Sequence, residues 1–342
     1  MPTTPDPTPA PLPPAPAEPV RAALIGRGAG GTVFHAPLLR ALPEFQLLAV
    51  AGSAETPAVL ADPTVELVVI STPTETHAAL AAAALEAGKH VVIDKPMAVD
   101  VADADRLIAL AAERGRLLTV FQNRRWDGDF LTVRRLLGEG AVGRPALFEA
   151  CWDRFRPTIK PGWRERPAPG TGLLFDLGSH LLDQALVLFG VPEWIEADVA
   201  AQRPEAAVDD WFDLRLGYGP LRVRLSASTL VADPRPRFAL HGSGGSFVKH
   251  GLDPQEERLR AGLDPRSPGF GNDPVAGTLT LADGRREAIA TEPGCYLDFY
   301  RGVAAAIRAG APPPVDPAGP RAGLRLIDLA RRSAREGRRL PA

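Results

Sequence analysis

Short apolar runs alternate with stretches of helical periodicity through the first third of the chain, beginning at Val20. The apolar runs are rich in Val, Ile and Leu, which is typical of strands buried on both faces. Two of the helical stretches end in glycine, at Gly88 and Gly115. This alternation predicts parallel β-α-β units in an open, doubly wound sheet. The predicted strands are 20–26, 45–52, 66–72, 89–94 and 116–123, and the predicted helices are 35–42, 76–88 and 101–115.

The pattern changes after Asn123. One helix is predicted over 128–137, a strand over 146–153 and a second helix within 176–190. Several strands joined by short turns then follow without helices, which indicates a mainly antiparallel sheet, and two helices end the chain near 296–309 and 320–337. We therefore predict an α/β protein with three segments, which are a Pro-rich tail (1–19), a parallel-sheet domain (20–123) and an α/β domain with a mainly antiparallel sheet (124–342).

Composition and charge narrow the class of protein. The chain has 342 residues, which is more than one ordinary hydrophobic core holds, so two domains are expected. Hydrophobic residues make up 45%, which is typical of a globular protein. The net charge of −2 gives no basic footprint for nucleic acid or an anionic membrane, and no apolar run reaches the length of a membrane span. The distant Cys151 and Cys295 are expected to be reduced thiols in a cytoplasmic protein. Residues 1–19 lack the features of a secretion signal and are expected to be disordered.

A glycine-rich turn follows the first predicted strand. Gly26, Gly28 and Gly31 form G-x-G-x-x-G between a strand and a helix, which is the context of the Rossmann dinucleotide fingerprint. Glycines permit the tight turn and let a pyrophosphate approach the helix N-terminus. A second glycine-rich stretch, 242–246, lies between two predicted strands and is expected to be a hairpin turn.

The end of the second strand, Ala51–Ala54, bears on the choice of cofactor. It carries no acidic residue for the 2′-hydroxyl of NAD, which favours NADP weakly. No arginine is evident there for a 2′-phosphate, however, and Glu55 would oppose one. The stretch from Ala51 to Glu66 is near the minimum for a parallel crossover, so we predict that the usual outer strand is missing.

Lys95 lies between the predicted strand 89–94 and Pro96, at the sheet edge where open α/β sheets bind ligands. A lysine held between a buried strand and a proline is a candidate functional group, although a surface lysine in a turn is the simpler alternative. The Lys95-Pro96 peptide is a candidate cis bond. The loop 71–77 follows the neighbouring strand and is expected to line the same crevice.

The helix within 176–190 carries Asp176 and His180 one turn apart, without a Lys or Arg in the run. Either residue alone is adequately explained as a helix cap or a core histidine. Together they suggest an acid–base pair, in which the carboxylate stabilises the protonated imidazole or orients its tautomer. Asp183 has the same ambiguity and can simply anchor the helix.

These stretches resemble the Gfo/Idh/MocA family of NAD(P)-dependent oxidoreductases, and within it the NADP-dependent scyllo-inositol dehydrogenase-like branch. The similarity covers about residues 20–340 in motif order. It implies a Rossmann domain followed by an α/β domain whose mainly antiparallel sheet commonly forms an oligomer interface. The segments that carry this resemblance are 26–39, 71–77, 87–96, 121–130, 170–190 and 241–259.

The resemblance also implies roles for individual residues. The family's E-K-P motif appears here as Asp94-Lys95-Pro96, and its D-x-x-x-H pair as Asp176 and His180. The predicted catalytic residues are Lys95, Asp176 and His180. The predicted cofactor-binding residues are Gly26, Arg27, Gly28, Gly31, Ser53, Thr72, Pro73, His77, Asp94 and Lys95. The predicted substrate-binding residues are Arg124, Trp126, Trp163 and Asp176.

The expected reaction is hydride transfer between nicotinamide and a secondary hydroxyl of a cyclic polyol or sugar, with NADP or NAD as cofactor. His180 would act as general base and Lys95 would stabilise the developing oxyanion. We expect no metal, no nucleic-acid or membrane partner, and a homo-oligomer in the cytoplasm. Two alternatives stay open, which are a non-catalytic nucleotide- or sugar-sensing regulator and NAD-assisted glycoside cleavage.

Overall fold

The computed structural model describes residues 18–160 and 162–342, so all but the end of the predicted disordered tail lies outside the described residues. Five parallel strands form the first sheet in the order β2-β1-β3-β4-β5. The side chains of β1, β3, β4 and β5 are mostly buried, as the apolar runs predicted, whereas those of β2 are only partly buried. The strands are β1 (Val20–Ile25), β2 (Phe45–Ala51), β3 (Leu67–Ile70), β4 (His90–Asp94) and β5 (Leu118–Phe121).

Helices cover both faces of this sheet. Alternate residues of β1 point to opposite sides, so that Ala22 and Leu24 pack with the first helix whereas Ala23 and Ile25 pack with the third and fourth. The first helix begins as a π-helical segment (Gly30–His35) that continues into α1. The other helices are α1 (Ala36–Ala41), α2 (Thr56–Ala61), α3 (His77–Glu86) and α4 (Val101–Arg114).

The connection from β2 to β3 contains a single short helix, α2. In the described part of the chain β2 is therefore an edge strand, and no strand lies beyond it. This confirms the prediction that the outer strand is missing. One side of the crevice at the end of β2 is consequently formed by loop residues.

The second sheet has nine strands in the order β13-β12-β11-β10-β6-β9-β8-β7-β14. Its neighbours are antiparallel except for β6 and β9, which confirms a mainly antiparallel sheet. The glycine-rich stretch 242–246 forms the β10–β11 turn, as predicted. The strands are β6 (Pro145–Asp153), β7 (Trp194–Ala200), β8 (Trp211–Tyr218), β9 (Leu221–Ser228), β10 (Phe238–Gly242), β11 (Gly245–Lys249), β12 (Gly277–Leu281), β13 (Arg286–Ile289) and β14 (Leu340–Pro341).

Helices cover the inner face of this second sheet. Leu181 and Leu182 of α6 join one core with Phe212 and Leu225 of the sheet and with Ile327 of α9. Because α6 lies between the sheet and α9, its polar face is buried as well. The remaining helices are α5 (Gly128–Gly138), α6 (Ser179–Phe189), α7 (Gln255–Arg260), α8 (Leu297–Ala309) and α9 (Ala318–Glu336).

One late helix, α8, returns to the first sheet. Phe299, Tyr300 and Val303 share a core with the α1 side of the parallel strands. The Tyr300 hydroxyl lies 2.6 Å from Nδ1 of His35 on the glycine-turn helix. The parallel-sheet half of the molecule is therefore built from residues at both ends of the chain. Within the described residues, no helix combines the length and apolarity needed to cross a membrane.

Candidate active site between the two sheets

The glycine turn lies at the carboxyl edge of the parallel sheet, directly after β1. Gly26 has a φ of 124°, and its amide donates to the carbonyl oxygen of Ala51 at the end of β2 (2.8 Å). A Cβ on Gly26 would overlap the carbonyl group of Ser71, and one on Gly31 would overlap the carbonyl oxygen of Gly26. Only glycine fits these two positions, because a side chain would meet backbone atoms that cannot move aside.

Gly28 is the open point of the same turn. A Cβ built there meets no heavy atom within 4 Å. The helix that starts at Gly30 follows immediately, and the free N–H groups of a helix start attract anions. The turn therefore leaves room for a pyrophosphate against its backbone, so Gly26, Gly28 and Gly31 fit a dinucleotide.

Arg27, the first variable residue of the turn, reaches across to the end of β2. Its Nη2 donates to Oε1 of Glu55 (2.8 Å), and its Nε donates to the carbonyl oxygen of Val50 (3.2 Å). The other carboxylate oxygen of Glu55 accepts the amide of Gly52 (2.9 Å). The expectation that no arginine serves this strand end is wrong, because the glycine turn supplies one. The predicted Ser53 lies in the exposed turn beside the pair.

Asp94 ends β4 beneath the glycine turn. Its Oδ2 accepts from the Ser71 hydroxyl (3.0 Å), and its Oδ1 accepts from the amide of Lys95 (2.8 Å). Nε2 of the buried His35 lies 3.7 Å from Oδ2, and a Cβ on Gly30 would come within 2.6 Å of the same oxygen. Burial raises the pKa of Asp94, but His35 and Lys95 outweigh it and hold the pKa well below its usual range. Asp94 thus supports the turn and the lysine from below.

The loop after β3 meets the loop after β4 at this edge. His77 is buried, with Nε2 3.0 Å from the carbonyl oxygen of Thr72 and Nδ1 2.9 Å from that of Pro96. Both ring nitrogens are thereby directed at backbone atoms, and His77 joins the two loops. Pro73 precedes a short helical turn in the first loop. The Lys95-Pro96 peptide is cis, which confirms that prediction.

Lys95 contacts Asp176, so a residue of each half meets the other at the crevice. The Lys95 Nζ donates to the Asp176 carbonyl oxygen (2.6 Å) and to its Oδ1 (3.1 Å). Two arginines approach the same carboxylate, with Arg164 Nε 3.4 Å from Oδ1 and Arg154 Nη1 3.7 Å from Oδ2. Burial raises the pKa of Asp176, but Lys95, Arg164 and Arg154 outweigh it and hold the pKa far below its usual value. Asp176 is therefore a firmly ionised carboxylate among three cations.

His180 is the second residue of α6, which follows the π-helical segment Leu174–Gly178, and it is buried. Its ring stacks on Trp152 of β6 at 5.7 Å, and its Nδ1 has no hydrogen-bond partner among the described residues. Burial, followed by the positive charges of Lys95 and Arg124, holds the pKa of His180 well below its usual value. The imidazole is therefore neutral near pH 7 and can accept a proton.

Asp176 and His180, the expected acid–base pair, form no hydrogen bond with each other among the described residues. The carboxylate is directed at Lys95 and the two arginines, because the π-helical segment and the neighbouring loop bring those cations onto it. Asp176 acts on His180 only through the field of its charge, which partly opposes the fall in the pKa of His180. Asp183 binds Arg125 through both carboxylate oxygens (2.7 and 2.8 Å), so it anchors the helix.

The predicted substrate residues fall into two groups. Trp163 lies with Lys95 and Asp176 around one small pocket, and Arg164 packs over the Trp163 ring at 4.5 Å. Arg124 and Trp126 do not line that pocket. The complete lining is Thr74, Lys95, Pro96, Trp163, Arg164, Gly170, Gly172, Phe175 and Asp176.

Arg124 is buried in a network of its own. Its Nη1 donates to the Tyr296 hydroxyl (2.7 Å), and its guanidinium pairs with Asp127 and Glu256. It also stacks on Trp152 at 4.8 Å, on the ring that carries His180. The Trp126 ring packs against Phe299 of α8 at 5.6 Å. Arg124 therefore influences His180 through its charge, and Trp126 takes part in the contact between the two halves.

Arg154 and Trp152 are not among the predicted site residues. Arg154 is partly buried, and its guanidinium is directed toward Asp176 and the Trp152 ring. Trp152 lies on the inward face of β6, so strand alternation alone would class it as core. Neither residue belongs to a short motif, and the signal that identifies them is a contact across the fold.

Family models match the two halves of the chain separately. The model described as oxidoreductase family, NAD-binding Rossmann fold, matches residues 48–122, and the GFO/IDH/MocA C-terminal domain matches residues 130–248. Both assignments agree with the two sheets described above. The candidate crevice lies where these two matched regions face each other.

Whole proteins are also similar to this chain. The uncharacterized oxidoreductase YdgJ of Escherichia coli (strain K12) is 43% identical over 92% of this chain and 96% of its own length. The scyllo-inositol 2-dehydrogenase (NADP(+)) IolW of Bacillus subtilis (strain 168) is 38% identical over 93% of this chain and 95% of its own. The structure of yvaA from Bacillus subtilis matches with a TM-score of 0.92 and 37% identity, covering 96% of this chain and 99% of that one.

Proposed function

Since this chain belongs to the Gfo/Idh/MocA family of oxidoreductases, we propose that it transfers a hydride between a nicotinamide cofactor and a secondary hydroxyl of a cyclic polyol or sugar. The observation that carries the proposal is the contact of Lys95 with Asp176 (3.1 Å), one helical turn before His180. It brings an ammonium group from the parallel-sheet half onto a carboxylate of the other half, near enough to His180 for the ammonium charge to lower the pKa of that imidazole.

His180 and Lys95 act on different atoms of the reacting hydroxyl group. The neutral His180 accepts the hydroxyl proton, and Lys95 donates a hydrogen bond to the oxygen as negative charge develops on it. When bound, the nicotinamide supplies hydride acceptance or donation. The low pKa of His180 makes its protonated form a good acid, so the same residue returns the proton when the reaction runs as a reduction.

Asp176 and its cations suit a substrate with several adjacent hydroxyls. The ionised carboxylate accepts hydrogen bonds, whereas Lys95, Arg154 and Arg164 donate them. Acceptors and donors side by side match hydroxyl groups, which do both. The similarity to the inositol dehydrogenase IolW supports an inositol-like ring as substrate.

For the cofactor we propose NADP in preference to NAD. Arg27 lies at the strand end where the 2′-substituent of the adenosine ribose is read, and a guanidinium there suits a phosphate. The NADP dependence in the name of IolW supports the same choice.

The assembly proposed is a homo-oligomer in the cytoplasm, formed through the outer face of the nine-stranded sheet. That face carries charged residues paired with one another, such as Arg224 with Asp213 (2.7 Å). Light scattering after size-exclusion chromatography checks this part, and a monomer at micromolar concentration would contradict it.

The deciding experiment follows absorbance at the reduced-nicotinamide band with NAD and NADP in parallel, against inositols and aldoses. Net formation of NADPH with a simple polyol supports the proposal. Glycoside cleavage without accumulation of reduced cofactor would replace it with redox-assisted elimination. Cofactor binding without turnover on any polyol would instead favour a regulatory protein.

A further inference from the structure

Two arginines of the second half, Arg154 and Arg164, approach the Asp176 carboxylate from the end of β6 and the segment after it. Arg164 Nε lies 3.4 Å from Oδ1, and Arg154 Nη1 lies 3.7 Å from Oδ2. No hydrogen bond joins either guanidinium to another residue that the structure describes, and among those residues Asp176 is the only acidic side chain within ion-pair distance of them. An arginine has five N–H donors, so both side chains can donate to a further acceptor.

Each guanidinium is held against an indole ring. Arg164 packs over Trp163 at 4.5 Å, and Arg154 packs over Trp152 at 5.6 Å. Such a contact fixes the position of the guanidinium without pairing its N–H groups with an oxygen. Two guanidinium groups held in this way suit an oxyanion, because their paired N–H groups match the oxygens of a carboxylate or a phosphate.

The charges around Asp176 do not balance. One carboxylate faces Lys95, Arg154 and Arg164, so three positive charges stand against one negative charge, and the imidazole of His180 is neutral near pH 7. Burial lowers the pKa of Arg154, and the charge of Asp176 offsets this only in part. A second anion would therefore be stabilised at this point of the crevice.

The neighbouring acidic side chains are engaged by other groups. They are Glu165, which pairs with Arg203 (2.8 Å), Asp209, which accepts the Leu174 amide (2.7 Å), and Glu256, which pairs with Arg124 and Arg260. The segment 154–166 adds three further cations, Arg156, Lys160 and Arg166, with Glu165 as its single acid. The approach to the crevice is therefore positive, which favours the association of an anionic ligand.

We propose that the substrate ring carries an anionic substituent, a carboxylate or a phosphate, which binds Arg154 and Arg164 while a ring hydroxyl faces Lys95 and His180. The glycine turn that suits the cofactor pyrophosphate belongs to the other half of the molecule, so we assign the two arginines to the substrate and not to the cofactor. This inference deepens the proposed function and rests on it in so far as the ligand is a hydroxylated ring.

The test compares rings that differ in one anionic group, with the full chain saturated with NADPH and binding measured by calorimetry. D-glucose is paired with D-glucuronate, and myo-inositol with myo-inositol 1-phosphate, so that the two pairs separate a carboxylate from a phosphate. At least one anionic ring should bind about 10- to 100-fold tighter than its neutral counterpart, as expected for charge-assisted hydrogen bonds.

The variants Arg154→Gln and Arg164→Gln each remove one charge and should lower this anionic preference by about tenfold. The preference is a ratio of two affinities, so a general loss of ring binding cancels in it. Arg154→Lys keeps the charge and should retain part of the preference. Arg166→Gln is the matched control, because it removes an exposed charge of the same segment that has no ion pair with Asp176, and the preference should stay within about twofold of the wild-type value.

Four results would overturn the inference. They are equal or weaker binding of the anionic ring in both pairs, no binding of either anionic ring, a wild-type preference in both glutamine variants, and a loss of NADPH affinity in those variants as large as their loss of affinity for the anionic ring. The last result would assign the arginines to the cofactor. Net oxidation of neutral polyols without an anionic preference would support the proposed function and refute this inference, whereas an anionic preference without turnover on any ring would do the reverse.

Discussion

The charges around His180 decide which proton the site can move. Burial and the nearby positive charges of Lys95 and Arg124 disfavour the protonated imidazole. Asp176 is paired with three cations, so its negative charge offsets the fall in the pKa of His180 only in part. The histidine is therefore a base that is already deprotonated at neutral pH. Lys95, held by two hydrogen bonds to Asp176, is oriented before substrate arrives.

Removing either group should strongly lower turnover, and removal of His180 should leave cofactor binding intact. We expect His180→Ala to lower kcat by about 100- to 10,000-fold, the usual contribution of a general base. Lys95→Ala should be at least as damaging. Steady-state rates and NADPH fluorescence titrations check this, with the exposed His250→Ala as control. Near-wild-type turnover in either variant would remove that residue from the mechanism.

The pH dependence of polyol oxidation reports on the same histidine. Because the pKa of His180 is lowered from its ordinary value of 6.5, kcat/KM should stay level through pH 6.5 and fall only at lower pH. The lowered pKa also means that this group favours folding above about pH 6.5 and that this stability is lost as the pH falls. Circular dichroism must therefore accompany each rate. A decline centred at or above pH 6.5 would contradict a neutral, buried base.

At the scale of single elements, different glycines of the glycine turn serve folding and cofactor binding. Gly26 and Gly31 are required by the fold because a Cβ would strike backbone, whereas the space in front of Gly28 is open. We expect Gly28→Ala to keep the wild-type melting temperature but to weaken NADPH binding at least about tenfold, since its methyl group would meet the pyrophosphate. Gly31→Ala should lower the melting temperature as well. A Gly28→Ala protein with normal NADPH affinity would place the pyrophosphate elsewhere.

Local patterns predicted most elements of the fold because each depends on neighbours in sequence. The parallel strands were found through their apolar runs, and the missing outer strand was inferred from the short stretch between Ala51 and Glu66. The first helix begins at Gly30 rather than near His35, because its initial π-helical segment has no regular apolar period. The parallel pairing of β6 with β9 is a non-local contact, and no local signal encodes it.

The same distinction explains the candidate site. Gly26, Lys95 and Asp176 lie in short sequence motifs, so the sequence alone identifies them as candidate site residues. The contacts of Arg154 with Asp176 and of Arg27 with Glu55 join segments that are distant in sequence, so only the fold shows them. Burial of the polar face of α6 is likewise visible only in the fold. The periodicity of the sequence shows which face of a helix is apolar, but it does not show what covers the opposite face.

For the whole molecule, α8 determines which parts can fold alone. Sequence boundaries separate 20–123 from the rest, yet Phe299, Tyr300 and Val303 fill the α1 side of the parallel sheet. Burying each large apolar side chain contributes about 1.5–3 kcal/mol, and a domain has only about 5–15 kcal/mol in total. Loss of α8 therefore removes a burial free energy comparable to the entire free energy of unfolding of the parallel-sheet half.

We expect the isolated fragment 20–123 to show no cooperative thermal transition, in contrast to the full chain. Calorimetry and ANS fluorescence check this, since the uncovered sheet face would bind the dye. Arg308→Ala in the full chain is the control. It breaks the ion pair of α8 with Glu66 (2.8 Å) and the hydrogen bonds to the carbonyl oxygens of Glu18 and Pro19, but removes no apolar side chain from the core, so the transition should stay cooperative. A fragment that melts cooperatively without α8 would mean that the parallel sheet is stabilised by α1, α3 and α4 alone, and that α8 serves to position the second half over the crevice.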